Sequence, residues 1–348
     1  MRTVRFAIVG CGKITERLAL PQLAHNRHAA VAALIDINRT SALRMARQFH
    51  IDQRLVWTSW RRMLRYADVD AVAVNVPNAL HAEIAVAALE AGKHVLVEKP
   101  IATTLADADA MIAAARRHRR VLMVEQTQRF DPAHETAHRL LRAGAIGAIR
   151  EVRGRLGHAG PQYWAGTTKT WLTDRRLSGG GALMDVGAHI VDLLRWFSGK
   201  RIRRLCCRTS TLHKRLKVEE AAAAILEFED GTLGAFDASW TTQPYEISTV
   251  CYGDRGTLRT SFGRGPRVAL ELSRRRGDPN QFDRPVQYPK VPDGSRQGGA
   301  YAAFIRSIRT STPPLISGAE GRATLEVLLA AYESAKTRRW VELTTGRA

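Results

Sequence analysis

Three ionisable side chains stand at helical spacing near the middle of the sequence. Asp185, His189 and Asp192 lie in the segment SGGGALMDVGAHIVDLLRWF, at offsets of four and three residues. Apolar residues recur at helical spacing in the same segment, which predicts one helix over residues 178–197, and Ser198-Gly199 supplies its stop. On such a helix the three side chains share a face. A histidine with a carboxylate one turn away on each side is typical of a proton-transfer group, because the acids orient the ring and adjust its pKa.

A polar edge on a half-buried structural helix would give the same pattern. We prefer this structural interpretation for Asp192. For His189 and Asp185 the rest of the chain favours a chemical role.

A glycine-rich turn near the N-terminus predicts a dinucleotide site. The run Val4 to Gly10 reads as a strand, the sequence GCGKIT follows, and a helical pattern comes next. Gly10 permits a tight turn, and Gly12 lets backbone amides approach a pyrophosphate at the helix N-terminus. The third position of the motif, normally Gly or Ala, is Thr15, so we expect the helix to lie slightly farther from its strand.

An acidic residue ends the second predicted strand, Ala29 to Ile35. Asp36 stands 24 residues after Gly12 and can bind the hydroxyls of the adenosine ribose while repelling a 2′-phosphate. This favours NAD over NADP. Arg39 lies close by and partly offsets the repulsion, so NADP stays open as an alternative.

Polar residues also follow the next predicted strands. The strand Ala71 to Val76 runs into the stretch NVPNALH, and the strand Val95 to Val97 runs into Glu98-Lys99-Pro100. The carboxyl edge of an open parallel sheet is where such folds hold ligands. Lys99 is therefore a fixed cation at the mouth of the predicted cofactor crevice, with a salt bridge to Glu98 as the structural alternative.

Helical and strand patterns alternate up to about Val124 and then change character. The alternation predicts a parallel sheet with helices on both faces. From Ile149 onward the strands are longer, and hairpin-like turns such as Asp230-Gly231 and Asp254-Arg255-Gly256 indicate a largely antiparallel sheet. Residues 263–299 read as loop-rich, and two helices close the chain.

Composition excludes several classes of protein. The 53 basic and 33 acidic residues give a formal net charge of +20, a value that would suit a nucleic-acid partner. The charge is spread in short clusters without a nucleic-acid-binding motif, so we predict no such partner and only a general attraction for anionic ligands. The four cysteines have no metal-ligand spacing. No apolar run approaches the ~20 residues of a membrane span, and the N-terminus reads as a strand rather than a signal peptide. We expect a cytoplasmic protein with no metal.

With these segments assembled, the chain resembles the family of glucose–fructose oxidoreductase, inositol dehydrogenase and their relatives, the Gfo/Idh/MocA family. The matching motifs are spread over most of the sequence: GCGKIT, VPNALHAEIAVAALEAGKHVLVEKPIATT, RFDP, GGGALMDVGAHIVD and YESAKTRRWVEL. The Glu-Lys-Pro block and the Asp-x-x-x-His helix are specific when found together. The stretch EQTQ before Arg129 departs from the family pattern.

The resemblance implies a fold and an activity. It implies an α/β Rossmann domain over residues 1–124, then an α+β domain over residues 125–348 with a large, mostly antiparallel open sheet. The resemblance also allows the C-terminal helix to pack back on the first domain. The exposed sheet face commonly forms a homodimer or homotetramer contact. Family members usually oxidise a secondary alcohol of a sugar or cyclitol with NAD(P), or reduce the matching ketone.

The resemblance also assigns roles to residues. Lys99, Asp185 and His189 would converge over the nicotinamide, with His189 as general acid/base and Lys99 stabilising charge on the reacting oxygen. Asp185 would orient the imidazole or bind a substrate hydroxyl. The predicted cofactor-binding residues are Gly10, Gly12, Lys13, Ile14, Asp36, Arg39, Asn75, Pro77, Asn78, His81, Glu98 and Lys99. The predicted substrate-binding residues are Lys99, Arg129, Tyr163, Lys169, Trp171, Asp185 and His189.

Two other functions stay open on the sequence. One is a glycoside hydrolase or lyase in which tightly held NAD oxidises the sugar transiently. The other is a non-enzymatic ligand-sensing regulator on the same fold. Retention of Lys99, Asp185 and His189 together argues against the regulator, because a sensor has no need for that trio.

Overall fold

A computed structural model of the chain describes residues 3–162, 170–211, 216–262, 269–274 and 286–343. The chain forms two compact units. The first comprises Met1–Gln126 and Gln297–Leu325, and the second comprises Thr127–Arg296 and Glu326–Ala348. Within the described residues, no helix has the length and apolar character needed to cross a membrane. In the same ranges, no group of three or more His, Cys, Asp and Glu side chains could hold a metal ion.

The first unit contains a six-stranded sheet. Its strands are β1 (Val4–Val9), β2 (Ala29–Ile35), β3 (Val56–Trp57), β4 (Ala71–Val74), β5 (His94–Glu98) and β6 (Leu122–Glu125). The order is β3-β2-β1-β4-β5-β6, and every neighbouring pair is parallel. This order is that of doubly wound dinucleotide-binding sheets. The central strands are almost wholly apolar and buried, as expected when helices cover both faces.

Helices alternate with these strands as the sequence pattern predicts. A π-helical turn (Thr15–Ala19) runs into α1 (Leu20–Ala24), and the crossover helices are α2 (Arg39–Gln48), α3 (Trp60–Tyr66), α4 (His81–Glu90) and α5 (Leu105–Arg117). The sequence patterns did not predict β3 and α3. A strand of two residues and a helix of seven carry too few periodic positions to be recognised.

The second unit contains an eight-stranded sheet. Its strands are β7 (Ile149–Gly157), β8 (Ile202–Ser210), β9 (Ala221–Phe228), β10 (Leu233–Ser239), β11 (Glu246–Gly253), β12 (Gly256–Phe262), β13 (Ala269–Arg274) and β14 (Val341–Glu342). The order is β13-β12-β11-β7-β10-β9-β8-β14. All of these pairs are antiparallel except β7–β10, which is parallel. The mostly antiparallel sheet is confirmed, and so are the two predicted hairpins.

One face of this sheet is buried under helices and the other is open. Helix α6 (Pro132–Arg142) packs on the β12–β13 side, and a helical segment between β7 and β8 packs on β7 and β10. The opposite face carries Ile225 and Leu233, each 54% exposed.

That helical segment is broken into three pieces. They are α7 (Arg175–Ser178), α8 (Ala182–Asp185) and α9 (Gly187–Ser198). The prediction of one helix over residues 178–197 is therefore wrong. Gly179 ends α7 in the left-handed conformation with φ 82°, and Val186 separates α8 from α9. The predicted stop is confirmed, since Gly199 ends α9 in the left-handed conformation with φ 65°. Two helices precede β14, α10 (Ala300–Thr310) and α11 (Gly318–Thr337).

A buried ion pair fixes α9 within the second unit. The Arg129 guanidinium donates from Nε and Nη2 to the two Asp192 carboxylate oxygens, each at 2.7 Å. The two side chains are 3% and 1% exposed. Such a bidentate pair holds both groups in one geometry. Asp192 thus takes part in fixing α9, and two nitrogens of the Arg129 guanidinium are directed at its carboxylate.

Breaking this pair from one side leaves a buried charge. We expect Asp192→Asn to lower the free energy of unfolding by about 3–5 kcal/mol, measured by chemical denaturation, because Arg129 then lacks its counter-charge. The double variant Arg129→Met with Asp192→Leu is the control and should recover much of that loss. A loss below ~1 kcal/mol in Asp192→Asn, as for an exposed pair, would contradict this account.

Candidate active site

The glycine turn after β1 has the two properties that a dinucleotide site needs. Gly10 has φ 98°, and a Cβ there would collide with the Asn75 carbonyl oxygen, so only glycine fits. A Cβ at Gly12 would meet nothing within 4 Å. The space beside Gly12 is therefore available to a ligand, and the turn fits the pyrophosphate of a dinucleotide.

Thr15 braces this turn against the end of β4. Its hydroxyl donates to the Gly10 carbonyl oxygen at 2.5 Å and accepts from Asn75 Nδ2 at 3.0 Å. The side chain is fully buried. A hydroxyl thus replaces the usual small residue at the third motif position, and the π-helical turn begins at this residue.

The Asp36 carboxylate lies against the glycine turn. One oxygen accepts the backbone N–H of Cys11 at 2.9 Å, and the other accepts that of Asn38 at 2.8 Å. Asn38 in turn caps α2 by accepting the Ser41 amide at 3.2 Å. These bonds hold a negative charge beside the turn in a fixed position. Arg39 is exposed at the start of α2.

The loops that follow β4 and β5 are tied together by His81. Its ring nitrogens lie 3.0 Å from the Pro100 carbonyl oxygen and 2.9 Å from that of Val76. The ring is fully buried, and burial lowers the pKa of His81. A neutral ring donates to only one of these carbonyls at a time. These contacts make His81 a support for the edge of the sheet.

Lys99 follows β5 and begins a cis peptide bond to Pro100. Its backbone N–H donates to Glu98 Oε2 at 3.0 Å. The other predicted cofactor residues lie in the turns after β1 and β4: Lys13, Ile14, Pro77 and Asn78. Lys13 is exposed and pairs with Glu16 at 3.0 Å.

In the second unit, two polar side chains that sequence reasoning missed approach Asp185. Trp240 Nε1 donates to Asp185 Oδ2 at 3.0 Å, and His158 Nε2 lies 3.4 Å from the same oxygen. The backbone N–H of Gly160 donates to His158 Nδ1 at 2.9 Å, which leaves the ring proton on Nε2, facing Asp185. The carboxylate is thereby held in one orientation.

The parallel pair β7–β10 brings these two donors together. Gly157 is the register partner of Ser239, so the residues that follow them, His158 and Trp240, leave the sheet at the same edge. Both side chains are buried. The local sequence contains no signal that β7 and β10 are neighbours.

Asp185 and His189 are the partly exposed residues of their segment. All other residues from 181 to 190 are buried. Val186 lies between α8 and α9 in the right-handed helical conformation, with φ −85° and ψ −26°. The chain therefore keeps a helical course across the break, and the offset of four residues still places both side chains on one side.

A buried carboxylate and its hydroxyl partner explain two of the three glycines before α8, Gly180 and Gly181. Glu219 Oε1 accepts the backbone N–H groups of Gly181 at 2.8 Å and Leu183 at 3.1 Å, and the Tyr332 hydroxyl at 2.6 Å. A Cβ at Gly180 would collide with that hydroxyl, and one at Gly181 with the Glu219 backbone. Burial raises the pKa of Glu219, and the Tyr332 hydroxyl opposes that effect. The glycines are thus required by close approach.

The remaining predicted substrate residues are partly beyond what the structure describes. Trp171 begins a 3₁₀ turn that ends at Thr173. Tyr163 and Lys169 lie outside the described residues.

Two family models match this chain. Residues 4–126 match a model described as an oxidoreductase family with an NAD-binding Rossmann fold. Residues 134–259 match the GFO/IDH/MocA C-terminal domain.

Similar proteins cover most of the chain. The 1,5-anhydro-D-fructose reductase of Ensifer adhaerens is 31% identical over 83% of this chain and 84% of its own length. The aldose-aldose oxidoreductase of Caulobacter crescentus, solved with glycerol, is 28% identical with a TM-score of 0.85, over 98% of this chain and 100% of its own. The WlbA dehydrogenase of Bordetella pertussis, solved with NADH and UDP-GlcNAcA, is 25% identical with a TM-score of 0.81, over 98% of this chain and 99% of its own.

The Asp36 charge leads to a prediction about cofactor choice. We expect Asp36→Asn to lower the preference for NADH over NADPH about tenfold, because the amide keeps an acceptor for the backbone but no longer repels a 2′-phosphate. Dissociation constants from nicotinamide fluorescence measure this. Asp52→Asn is a matched control, since Asp52 also accepts a backbone N–H two residues ahead, at 2.9 Å. An unchanged ratio in Asp36→Asn would refute our interpretation of Asp36.

The Trp240 donor can be tested through its coupling to Asp185. Trp240→Phe keeps an aromatic ring but removes the N–H group, and we expect a loss of about 1.5–3 kcal/mol in the free energy of unfolding. In a double-mutant cycle with Asp185→Asn, the coupling should reach at least ~0.5 kcal/mol. The same cycle with Trp57→Phe, which lies in the other unit, should be additive. Additivity in both cycles would show that the Trp240–Asp185 bond contributes nothing.

Proposed function

Since the chain belongs to the Gfo/Idh/MocA oxidoreductase family, with its NAD-binding Rossmann fold, we propose that it acts on a sugar, a cyclitol or a sugar derivative. The proposed reaction is hydride transfer between a nicotinamide cofactor and a secondary alcohol, or the matching ketone. The observation that carries this proposal is the Asp185–His189 pair. These are the partly exposed residues of an otherwise buried segment, and the Asp185 carboxylate accepts from Trp240 and lies 3.4 Å from His158 Nε2.

The first unit supplies the features that hold the cofactor. The open space beside Gly12 suits the pyrophosphate, and the fixed Asp36 carboxylate suits the adenosine ribose of NAD. When bound, the nicotinamide takes up or returns the hydride. Glu98 and Lys99, at the end of β5, complete the proposed cofactor edge.

His189 is the proposed general acid/base. An imidazole has an ordinary pKa near neutrality, about 6.5, so it can take the hydroxyl proton during oxidation and return it during reduction. Asp185 orients that ring or binds a neighbouring substrate hydroxyl. Lys99 stabilises negative charge that develops on the reacting oxygen.

The similar proteins support a sugar substrate. Their names and bound molecules include an anhydrofructose, aldoses and UDP-GlcNAcA. The net charge of +20 attracts anionic molecules, which favours acidic or nucleotide-linked sugars among these. The exposed Ile225 and Leu233 support a further proposal, that the open sheet face forms a contact between copies of the chain.

A screen identifies the substrate and separates the alternatives. Neutral sugars, cyclitols, amino sugars, acidic sugars and nucleotide sugars are incubated with NAD or NADP while absorbance of the reduced nicotinamide is followed. We expect net formation of NADH with a member of this panel. Sugar turnover without net NADH would indicate a redox-assisted hydrolase or lyase instead. Dinucleotide and sugar binding without turnover would indicate a regulator.

Two substitutions test the proposed chemistry. We expect His189→Asn and Lys99→Met to lower turnover by about 10²–10⁴-fold, because each removes a group that acts on the reacting atoms. Dinucleotide binding should persist in both, as measured by nicotinamide fluorescence. The exposed residues His50 and Lys336 provide matched controls as His50→Asn and Lys336→Met. Near-normal turnover in both site variants would exclude this mechanism.

A further inference from the structure

Two glutamates lie side by side at the carboxyl edge of the first sheet. Glu98 ends β5, Glu125 ends β6, and the two are register partners in this parallel pair. Residues in register on neighbouring parallel strands point to the same face, and the strands lie about 4.8 Å apart. Glu98 is 8% exposed and Glu125 is 0% exposed. Two carboxyl groups are thus buried side by side.

The alternation of β6 determines which face Glu125 occupies. A Cβ on Gly318 would contact Leu122, and one on Gly321 would contact Val124, so these apolar side chains face the start of α11. Glu125, one residue after Val124, therefore points to the opposite face. On that face Glu125 lies close enough to Tyr301 of α10 for the two groups to interact electrostatically, and Tyr301 is also fully buried.

Glu125 has none of the donors that a buried carboxylate requires. Within the described residues, both its side-chain oxygens are buried without a hydrogen-bond partner, and so is the Tyr301 hydroxyl. Buried polar groups are almost always hydrogen-bonded, and an unpaired charge in such a place is far more costly than a neutral acid. The neutral form of Glu125 is the one that this environment tolerates.

The surrounding charges act in the same direction. Burial, and then the charge of Glu98, raise the pKa of Glu125. Burial, first of all, raises the pKa of Tyr301, so its phenol stays neutral. The Lys99 backbone N–H donates to Glu98 Oε2 at 3.0 Å, which favours the charge on Glu98. The buried helix residues of α5 are alanines and a methionine, with no titratable group among them.

We propose that Glu98 and Glu125 share one proton, with Glu125 as the neutral partner, and that Glu125 positions the Glu98 carboxylate at the cofactor edge. Two carboxylates on neighbouring strands of a buried site repel each other, which disfavours ionisation of both. With one proton between them, Glu98 keeps its charge and its bond to the Lys99 amide. Glu125 is thus a positioning residue. The inference rests on the proposed function only in placing Glu98 at the cofactor edge.

The pH dependence of stability tests the shared proton without any activity. In the unfolded chain Glu125 loses its proton near the ordinary glutamate pKa of 4.5. In the folded chain Glu125 retains that proton at higher pH, because its pKa is raised. The stability that this proton contributes is present below pH 4.5 and is lost as the pH rises toward the folded pKa. Above pH 4.5 the equilibrium constant for unfolding of the wild type should therefore grow relative to that of Glu125→Gln, by up to about tenfold per pH unit. Denaturation curves across the pH range measure this ratio.

Two further variants complete this experiment. Glu98→Gln removes the like charge but leaves Glu125 buried, so it should narrow the pH range over which stability is lost without abolishing the loss. Glu90→Gln removes an exposed glutamate of α4 and should follow the wild type. A pH dependence that persists in Glu125→Gln, or that is unchanged in Glu98→Gln, would overturn the shared proton. If Glu125→Gln lowers the free energy of unfolding by the same amount at every pH, the shared proton is also overturned. That result would indicate an ionised Glu125 held by a cation.

NADH binding tests the positioning role. Measured by fluorescence without any sugar, the wild type should bind NADH more weakly as the pH rises and the shared proton is lost. Glu125→Gln should bind about threefold or more tightly than the wild type at the alkaline end. Equal affinities at every pH would overturn the positioning role. Because neither readout uses a sugar, failure of the proposed sugar chemistry would leave these results unaffected.

Discussion

The carboxyl ends of parallel strands determine where the polar side chains of this chain can lie. In a parallel pair these ends meet at one edge, so the residues that follow leave the sheet together. In the first unit this edge carries Gly10, Asp36, Asn75, Glu98 and Glu125. In the second unit the parallel pair β7–β10 places His158 and Trp240 beside each other, within a sheet whose other pairs are antiparallel. The chemistry of each unit therefore depends on its parallel pairing.

Much of this architecture follows from local patterns. The strand Ala29–Ile35 has the bounds that the sequence predicts, because a buried apolar run ends at residues that favour turns. The glycine turn and Asp36 are equally local, since each needs only its own strand and the helix that follows. The end of α9 at Gly199 was also predicted from the local sequence. What these features share is that their partners lie within a few tens of residues.

The rest depends on partners that are distant in the sequence. The glycines before α8 suggested a helix start, but their reason lies in Glu219, 38 residues after Gly181, and in Tyr332, 113 residues after Glu219. Trp240 contacts Asp185 across 55 residues, and Arg129 contacts Asp192 across 63. Hydrophobic periodicity reports which side of an element is buried, not which element covers it. The polar partners of Asp185 and the break in the helix were for that reason beyond local prediction.

Two buried glutamates, each with a pKa raised by burial, differ in the donors that surround them. Glu219 receives two backbone N–H groups and a hydroxyl, so its carboxylate is stabilised where it lies, and it ties the glycine turn to the start of α8. Glu125 receives no donor from the described residues and faces a second carboxylate instead. Donors favour the charged form, whereas burial and a like charge favour the neutral one. The number of donors around each side chain therefore separates a glutamate that anchors backbone from one that holds a proton.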